Sequence, residues 1–490
     1  MSAIDIAIIC IYCLTLPFIA FALSGRQDSV STYIGGGHNL PWWVICLSLV
    51  ATETSTLTII SIPGIAYGSG MVFVGLAVGY VIGRALVAWL FLPRYFSGQV
   101  SSVYQYLGQR FGPAMERTVS ATFLVMRVLA EGIRLFAGML PVAAILASMH
   151  LPLPQWAIML LITGLTLFYT MFGGLRAVVW SDAIQLAVYA VGTAACMGLL
   201  YHQATDMQIH ALRHSNRFHL FHKSAQFFLD PYTPCAAMIG GAIMAMASHG
   251  TDQLLVQRVL AARNLYDARK ALVGSGVMVG CLFAMLSLVG MLLWARNDEK
   301  PLAAMGLQTS DALFPAFIVH DLPPGLAGLL IAGLLSATMG SLSATLNAMT
   351  SATVLDFAAP CRALARCMGL SALAFARVVT LLWAVVLVCA ALAFARCHGP
   401  AVVFGLSVAS CSYGAMLGAF VFAMFSRHAL TREVLPAFVV TVVTVVTVCG
   451  LMMLWHPYGA TIAFTWLVPL GVMVMFICAL GSRAIGKIWQ

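Results

Sequence analysis

The sequence predicts an all-α integral membrane protein with thirteen transmembrane helices. Of its 490 residues, 61% are hydrophobic and 8% are charged, whereas soluble domains contain about 45–50% apolar and about 25% charged residues. The chain therefore has too little polar surface to be dissolved in water. Thirteen apolar stretches are each long enough to supply the about 20 residues that cross about 30 Å of hydrocarbon. Helices are expected because backbone groups in lipid must be hydrogen-bonded within their own segment.

The apolar stretches follow one another with short connections, which leave no room for a soluble domain between them. The first stretch contains Asp5, lacks the preceding Lys or Arg of a signal peptide, and exceeds the usual apolar run of about 7–15 residues. We therefore interpret it as a retained helix. The predicted spans are residues 3–23, 41–68, 71–96, 118–148, 155–175, 177–203, 234–258, 271–295, 323–354, 372–395, 400–426, 433–455 and 460–482.

The distribution of Lys and Arg predicts the orientation of the chain. Thirteen spans put the two termini on opposite sides, and cytoplasmic loops carry an excess of Lys and Arg. With the N-terminus outside, cytoplasmic loops hold fifteen of the 25 Lys and Arg residues and external loops hold six. We therefore predict a cytoplasmic C-terminus and a plasma membrane location, as in a bacterial inner membrane. The net charge of +9 then reflects topology and contact with anionic lipid, so no nucleic-acid partner is expected.

The second predicted span contains a run of hydroxyl residues that leads into a proline. Proline removes a helix hydrogen bond, while Ser and Thr can bond the freed carbonyls. An unwound stretch at mid-membrane exposes carbonyl oxygens, which transporters use to bind ions and substrates. A simple proline kink in a packed helix is the alternative. The residues concerned are Thr52, Thr54, Ser55, Thr56 and Thr58, followed by Ser61, Pro63 and Gly64.

The ninth predicted span carries a second group of hydroxyl residues. Thr338, Ser341 and Thr345 recur at spacings of three and four, so they share one helix face. We expect this span to be interrupted as well and to face the second span at mid-membrane, with a cation between them. A packing seam is the alternative, because small hydroxyl residues also favour close helix contact in membranes. The full group is Ser336, Thr338, Ser341, Ser343 and Thr345, then Asn347 and Thr350.

Charged residues inside the predicted spans are candidates for functional roles. Each costs about 2.5–3.5 kcal/mol on insertion scales and persists when it is paired or useful. Arg127, Glu131 and Arg134 share one helix face, so that face must point inward. If Glu131 pairs with one arginine, the other meets Glu53 or an anionic group of a solute. Alternatively, the charges satisfy one another and fix helix packing. The candidate residues are Glu53, Arg84, Arg127, Glu131, Arg134, Asp182 and Asp252.

Three motifs resemble those of the sodium/solute symporter family. The stretch from Gly173 to Gln185 reads GGLRAVVWSDAIQ and is similar to the family pattern G-G-x-x-A-V-x-W-[ST]-D-x-x-Q. The stretch from Gly250 to Arg258 reads GTDQLLVQR and resembles G-x-D-Q-x-x-x-Q-R, and Gly333 to Asn347 resembles the ion-binding helix. The resemblance covers roughly residues 30–430. It implies a small-molecule solute and sodium as ligands in a lipid membrane; the sequence sets no oligomeric state.

The resemblance also implies a leucine-transporter-like fold with five helices in each of two inverted repeats. One extra helix would precede the repeats and two would follow them. The implied units are residues 1–30, the N-terminal helix; 40–203, the first repeat; 234–426, the second repeat; and 433–490, the two C-terminal helices.

The implied sodium site combines the second and ninth spans. Gly340 stands where the family has Ser or Thr, so Thr338 or a water would have to replace one oxygen ligand. A possible second ion or proton site comprises Asp182, Ser341 and Ser343, but Ala344 supplies no side-chain oxygen. One sodium per cycle is expected, with proton coupling through Glu53 or Asp182 as the alternative, and no cofactor besides Na⁺. The implied sodium ligands are Ala51, Thr54, Ala337, Gly340 and Ser341.

The implied solute site lies beside the unwound segment. A solute with a carboxylate, or a zwitterion, makes the best use of Arg134 and Glu53. A sensor that retains the transporter fold is an alternative, disfavoured because about eight residues follow the last span. A channel lacks support, and no hydrolase or Walker motif predicts an enzyme. The implied solute-binding residues are Glu53, Ser55, Thr58, Tyr80, Arg84, Arg127, Glu131, Arg134 and His249.

Overall fold

The computed structural model describes residues 2–25, 27–148, 153–307, 309–395, 401–426, 430–455 and 462–488, and this part of the chain is helical, with no strand. An isolated bridge joins Leu40 to Ala262, and a π-helical turn, Ala236–Gly240, precedes α11. The helices are α1 (Ala3–Ser24), α2 (Val30–Gly35), α3 (Trp42–Glu53), α4 (Thr56–Ser69), α5 (Val72–Leu90), α6 (Leu92–Ser97), α7 (Val103–Phe111), α8 (Pro113–Ser148), α9 (Gln155–Gln203), α10 (Asp206–His214), α11 (Gly241–Thr251), α12 (Gln253–Leu260), α13 (Leu265–Arg296), α14 (Leu313–His320), α15 (Leu326–Asp356), α16 (Ala358–Cys367), α17 (Ala372–Phe394), α18 (Ala401–Phe425), α19 (Thr431–Trp455) and α20 (Phe464–Ile488).

The helices have the length and composition of membrane spans. Among the described residues, eight are long and apolar enough to cross a membrane, or nine if the bent pair α3 and α4 forms one span. Every predicted span falls on a helix or a helix pair, and α9 accommodates two of them. The chain turns within α9 at Gly174, whose φ of 58° favours glycine and whose Cβ position lies 2.5 Å from the Tyr33 carbonyl oxygen.

The second predicted span is interrupted, but not at its proline. α3 ends at Glu53, α4 begins at Thr56, and the two helices differ in direction by 68°. Thr54 and Ser55 between them have ψ angles of 88° and 168°, outside the helical region. Pro63 lies inside α4, so the prediction of a break caused by this proline is wrong. The break coincides with the hydroxyl run, whose side chains can replace lost backbone bonds.

The ninth predicted span is continuous, so the prediction that it is interrupted is wrong. α15 runs unbroken for 31 residues. Its hydroxyls bond back to carbonyls of their own helix: Ser336 to Ala332 (2.6 Å), Thr338 to Leu334 (3.1 Å) and Ser343 to Gly340 (3.0 Å). Such bonds add to the backbone ladder without replacing it, and no proline removes a donor. A hydroxyl-rich sequence therefore need not unwind a helix.

A second break occurs in the seventh predicted span, where no break was predicted from the sequence. Asp252 separates α11 from α12 and has extended backbone angles, φ −92° and ψ 121°. Its side chain accepts a hydrogen bond from the Leu254 amide (2.9 Å) and so caps the start of α12. The second and seventh predicted spans are thus interrupted at Thr54–Ser55 and at Asp252, respectively.

α15 is the central helix of the bundle. It packs against α1, α3, α4, α8, α9, α12 and α17. In its most apolar stretch of 18 residues, 89% of the residues are buried. Small residues bring α9 close: a Cβ on Gly333 would lie 2.9 Å from Tyr189 Cβ, and a Cβ on Gly340 would lie 2.6 Å from Gln185 Oε1. Large apolar side chains such as Trp89 and Ile477 are exposed on the outside of the bundle, as expected for contact with lipid.

Candidate functional site

The break between α3 and α4 contacts the hydroxyl face of α15. Thr56, the first residue of α4, donates its hydroxyl to the Leu334 carbonyl (3.0 Å) and lies 2.7 Å from Thr338 Oγ1. Thr54 Oγ1 is fully buried and has no hydrogen-bond partner within the described part of the chain. The unwound segment therefore meets α15 inside the bundle, where protein atoms replace lipid around it.

The implied sodium ligands lie on these two elements and are all buried. Ala51 is in the last turn of α3 and Thr54 follows its end, while Ala337, Gly340 and Ser341 are on α15. The Ser341 hydroxyl contacts both carboxylate oxygens of Glu131 on α8, at 2.9 and 3.0 Å. The Ser341 side chain thus points toward α8 and shares its position with a carboxylate.

Gly340 faces α9, where side-chain oxygens fill the space that a larger residue would take. The Cβ position of Gly340 lies 2.6 Å from Gln185 Oε1 and 3.5 Å from Asp182 Oδ1. Both oxygens are buried and lack hydrogen-bond partners among the described residues. An amide oxygen and a carboxylate oxygen therefore lie beside the position that a Ser or Thr side chain would take, and both are hard oxygen ligands.

Asp182 also joins the first broken helix to the second. Its Oδ2 accepts hydrogen bonds from Ser48 (2.7 Å), from Thr52 (3.4 Å) and from Arg258 (3.2 Å). Arg258 lies on α12 and donates in addition to Ser48 Oγ (2.9 Å). Asp182 and Arg258 are both fully buried. Ser343, the other residue of the implied second site, donates to the Gly340 carbonyl instead.

Glu53, at the end of α3, pairs with a buried arginine. Arg84 on α5 donates from Nη2 to Glu53 and from Nη1 to Ser275 Oγ on α13 (2.6 Å). The Glu53 side chain is 18% exposed and that of Arg84 is 0% exposed. His249 on α11 places Nε2 3.9 Å from the Glu53 carboxylate. Glu53 therefore meets Arg84 and not an arginine of α8.

Asp252, at the second break, pairs with Arg127 of α8. Arg127 Nη2 donates to Asp252 Oδ2, and the Tyr413 hydroxyl donates to the same oxygen (2.7 Å). The two charged side chains are 6% and 1% exposed. Asp252 therefore neutralises Arg127. The three charged residues on the inward face of α8, namely Arg127, Glu131 and Arg134, do not balance one another's charges alone.

Arg134 is the most exposed of these three charged residues of α8. Its side chain is 23% exposed, and its Nη1 lies 3.8 Å from Glu131 Oε2. Of the other implied solute-binding residues, Ser55 and Thr58 have hydroxyls 3.4 Å apart beside the break. Tyr80 is buried on α5, with its ring 6.4 Å from that of Phe283. Glu53, Ser55 and Thr58 thus lie at or beside the first break, whereas Arg127 pairs at the second. The contacts described above do not join the implied solute-binding residues into one cluster.

Several contact residues were not predicted from the sequence. Gln185 and Arg258 belong to the recognised motifs, so the motifs could have indicated them, whereas Tyr413 and Ser275 carry no such signal. An open cavity of about 610 Å³ was also missed. It lies at the end of the bundle that we predict to be external. Its lining includes His214, Arg217, His219, His222, Trp294 and Glu299.

Arg217 in this cavity is held by neighbouring groups. Its guanidinium lies 3.9 Å from the centre of the Trp294 ring and donates to the Tyr67 carbonyl (2.7 Å). Burial lowers the pKa of Arg217, while the nearby Glu299 carboxylate acts in the opposite direction. The Arg217 guanidinium is therefore fixed in the cavity wall, and the Glu299 carboxylate lines the same cavity.

Comparison with known proteins gives consistent relatives. A family model described as the sodium:solute symporter family matches residues 33–440. The sodium/sialic acid symporter NanT of Aliivibrio fischeri is 26% identical over 341 residues, which are 68% of this chain and 65% of that protein. The human sodium/iodide cotransporter is 28% identical over 69% of this chain, and bovine sodium-coupled monocarboxylate transporter 2 is 27% identical over 70%. The matches span 52% and 56% of those two proteins.

Solved structures show the same fold. A Na⁺-coupled sialic acid symporter in a substrate-bound outward-open state matches with a TM-score of 0.81 at 21% identity, covering 99% of this chain and 98% of that one. A nucleobase-cation-symport-1 family transporter in a closed conformation matches with a TM-score of 0.54 at 10% identity, covering 94% and 96%. The likeness at these identities establishes an all-helical transporter fold. Because the family model covers most of the sequence, the chain belongs to the sodium:solute symporter family.

Proposed function

We propose that this protein is a sodium-coupled symporter of a small organic solute and works by alternating access. The observation that carries the proposal is the meeting of the Thr54–Ser55 break with the buried hydroxyl face of α15. Discontinuous helices that meet other helices at mid-membrane supply carbonyls and helix ends for ions and substrates. Family membership and the names of the relatives support sodium as the coupling ion.

The proposed architecture has thirteen spans and two inverted repeats of five, residues 40–203 and 234–426, with the flanking units at 1–30 and 433–490. The positions of the breaks support it. One break lies in the first helix of the first repeat, and the Asp252 break lies in the first helix of the second. Related repeats place their discontinuous helices at corresponding positions. The Lys and Arg distribution supports an external N-terminus and a plasma membrane location.

The proposed sodium ligands are the backbone carbonyls of Ala51, Thr54 and Ala337 with the hydroxyl of Ser341. We expect one sodium per cycle. Arg258 supports this number, because its guanidinium already provides a positive charge to Asp182 where a second sodium would otherwise bind. Sodium prefers several hard oxygen ligands, and replacing Ser341 with Ala should therefore weaken activation by sodium.

The proposed solute carries a carboxylate. Arg134 supports this class, because a partly exposed guanidinium at a distance of 3.8 Å from its carboxylate neighbour can receive a second, planar anion. Two of the relatives are named for sialic acid and for monocarboxylates, which are carboxylate solutes.

Uptake into proteoliposomes tests the proposal. Purified protein is reconstituted and supplied with radiolabelled sialic acid and with short monocarboxylates, under an inward sodium gradient or with potassium on both sides. Sodium-driven accumulation above equilibrium is expected for at least one carboxylate. Accumulation that follows an imposed proton gradient, and not sodium, would indicate proton coupling. Ligand binding without accumulation under either gradient would indicate a sensor. Either proton-driven accumulation or binding without accumulation would refute sodium symport.

A further inference from the structure

Glu131 lies where the implied ion site meets the implied solute site. Its carboxylate is 1% exposed and contacts α15 through Ser341 Oγ, at 2.9 and 3.0 Å, and Thr345 Oγ1, at 3.1 Å. On its other side, Arg134 Nη1 lies 3.8 Å away. One side chain thus touches a proposed sodium ligand and the arginine proposed to bind the solute.

The packing of α8 on α15 fixes this position. Gly138, seven residues after Glu131, allows contact with Thr338, because a Cβ at Gly138 would overlap the Thr338 side chain. Thr338 precedes Thr345 by seven residues, so the two helices run antiparallel along one face. Thr338 also contacts Thr56 at the start of α4. The α15 hydroxyl face is therefore enclosed between the first break and Glu131.

Glu131 differs from the other three carboxylates near the breaks in how its charge is balanced. Glu53 is paired with Arg84, Asp252 with Arg127 and Asp182 with Arg258, each by a direct guanidinium hydrogen bond. Glu131 accepts its hydrogen bonds from hydroxyls, and its guanidinium neighbour is beyond hydrogen-bond distance. In its ionised form it therefore offers a negative charge that a bound cation can balance.

We propose that Glu131 is the anionic member of the cation site and that it couples this site to Arg134. The proposal rests on the sodium coupling proposed above. A hydroxyl that donates to a carboxylate keeps lone pairs for a cation, so Ser341 can contact Glu131 and sodium together. When sodium arrives, Glu131 balances its charge, and Arg134 is released to bind the carboxylate of the solute. Binding of sodium to Glu131 frees Arg134 for the solute, and binding of the solute to Arg134 frees Glu131 for sodium. Each ligand therefore increases the affinity for the other.

Sodium-dependent thermal stabilisation of the purified protein in detergent tests this role without transport. The unfolding temperature is followed as sodium replaces potassium at constant total salt, and the sodium concentration for half-maximal stabilisation is the readout. Glu131→Gln should raise this concentration by at least about tenfold, because it removes a full charge beside the ion. Glu116→Gln, which removes a carboxylate from the first turn of the same helix, should leave it unchanged.

The Arg134→Gln variant distinguishes a charge role from a packing role. It removes the positive charge that competes with sodium for Glu131, so the half-maximal sodium concentration should fall by about three- to tenfold. If Glu131 and Arg134 only support the fold, their variants should change the unfolding temperature in potassium. The half-maximal sodium concentration should then not shift in opposite directions in Glu131→Gln and Arg134→Gln. If Glu131→Gln does not fold, Glu131→Asp replaces it. Its retracted carboxylate should raise the half-maximal concentration several-fold.

The outcomes separate this inference from the proposed function. Sodium stabilisation of the wild type with unshifted values in the Glu131 and Arg134 variants would overturn the role of Glu131 and leave sodium coupling intact. A wild type that responds equally to sodium and potassium would count against sodium coupling itself. Opposite shifts in the two variants would support the proposal.

Discussion

Replacing Asp252 with Asn should destabilise the protein far more than the same change at an exposed ion pair. Asp252 and Arg127 are 1% and 6% exposed, so neither side chain can recover its hydration when the other is neutralised. The amide of Asn can still cap α12, because Asn is as good an N-cap residue as Asp. The substitution therefore removes mainly the charge that balances Arg127.

The size of the effect follows from that burial. Removing one partner of a buried ion pair costs about 3–5 kcal/mol, because an uncompensated charge remains in a medium of low polarity. The matched control is Asp321→Asn. Asp321 pairs with Arg296 at 3.4 Å, but the two side chains are 48% and 34% exposed. For such a surface pair the expected loss is about 0–1 kcal/mol.

The free energy of unfolding, measured by denaturant titration in detergent micelles, provides the assay. Wild type, Asp252→Asn, Asp321→Asn and the double variant Asp252→Asn with Arg127→Met are compared. The double variant should recover most of the loss, because it removes both charges and fills the space with an apolar chain. The reasoning would be refuted if Asp252→Asn were no more destabilising than Asp321→Asn, or if the double variant were less stable than Asp252→Asn.

Three further predictions concern packing, solute binding and topology. Gly340→Ala should lower the free energy of unfolding by about 1–3 kcal/mol, since its Cβ would lie 2.6 Å from Gln185 Oε1; adding Gln185→Ala should restore part of the loss, and full additivity would contradict the contact. Arg134→Gln should abolish uptake of an anionic solute, whereas retained uptake with reduced protein stability would favour a packing role. In intact cells, a membrane-impermeant maleimide should label a single-cysteine variant at exposed Cys235 and not one at exposed Cys367; the reverse pattern would contradict an external N-terminus.

Helix positions were predictable because each span must be continuously apolar over a fixed thickness. Helix interruptions were harder to predict, as α15 shows. Thr, Ser and Gly residues make the sequence of α15 resemble that of an unwound segment, yet each hydroxyl can either replace a backbone bond or supplement it. The choice depends on neighbours from distant parts of the chain. At Asp252 the neighbours are Arg127 and Tyr413, which lie 125 and 161 residues away in sequence.

The candidate site was likewise only partly predictable from the sequence. The charged residues could be selected because charge is costly in lipid, and all of those selected are buried or partly buried. Their partners could not be selected. Spacing on α8 suggested that Arg127, Glu131 and Arg134 would interact. Glu131 does lie 3.8 Å from Arg134, but Arg127 pairs with the second break, and the hydrogen bonds of Glu131 come from hydroxyls of α15. Spacing along one helix identifies a shared face and says nothing about what that face meets.

The kinds of contact in the bundle indicate where alternating access can occur. Charge pairs fasten α3 to α5 through Glu53 and Arg84, and α12 to α9 through Arg258 and Asp182. Breaking a buried pair of this kind costs about 3–5 kcal/mol, so helices joined in this way are expected to move together. α15 meets the first break through the hydroxyls of Thr56 and Thr338.

A neutral hydrogen bond contributes about 0.5–1.5 kcal/mol, so contacts such as that between Thr56 and Thr338 exchange at low cost. The contact between α4 and α15 is therefore a place where we expect the helices to shift against one another. Ser341, which follows Thr338 by three residues on α15, contacts Glu131 of α8. A cation bound at this contact would favour one arrangement of α15 and its neighbours over another. Because the two arrangements differ little in free energy, a modest difference in cation affinity would be enough to shift the equilibrium between them.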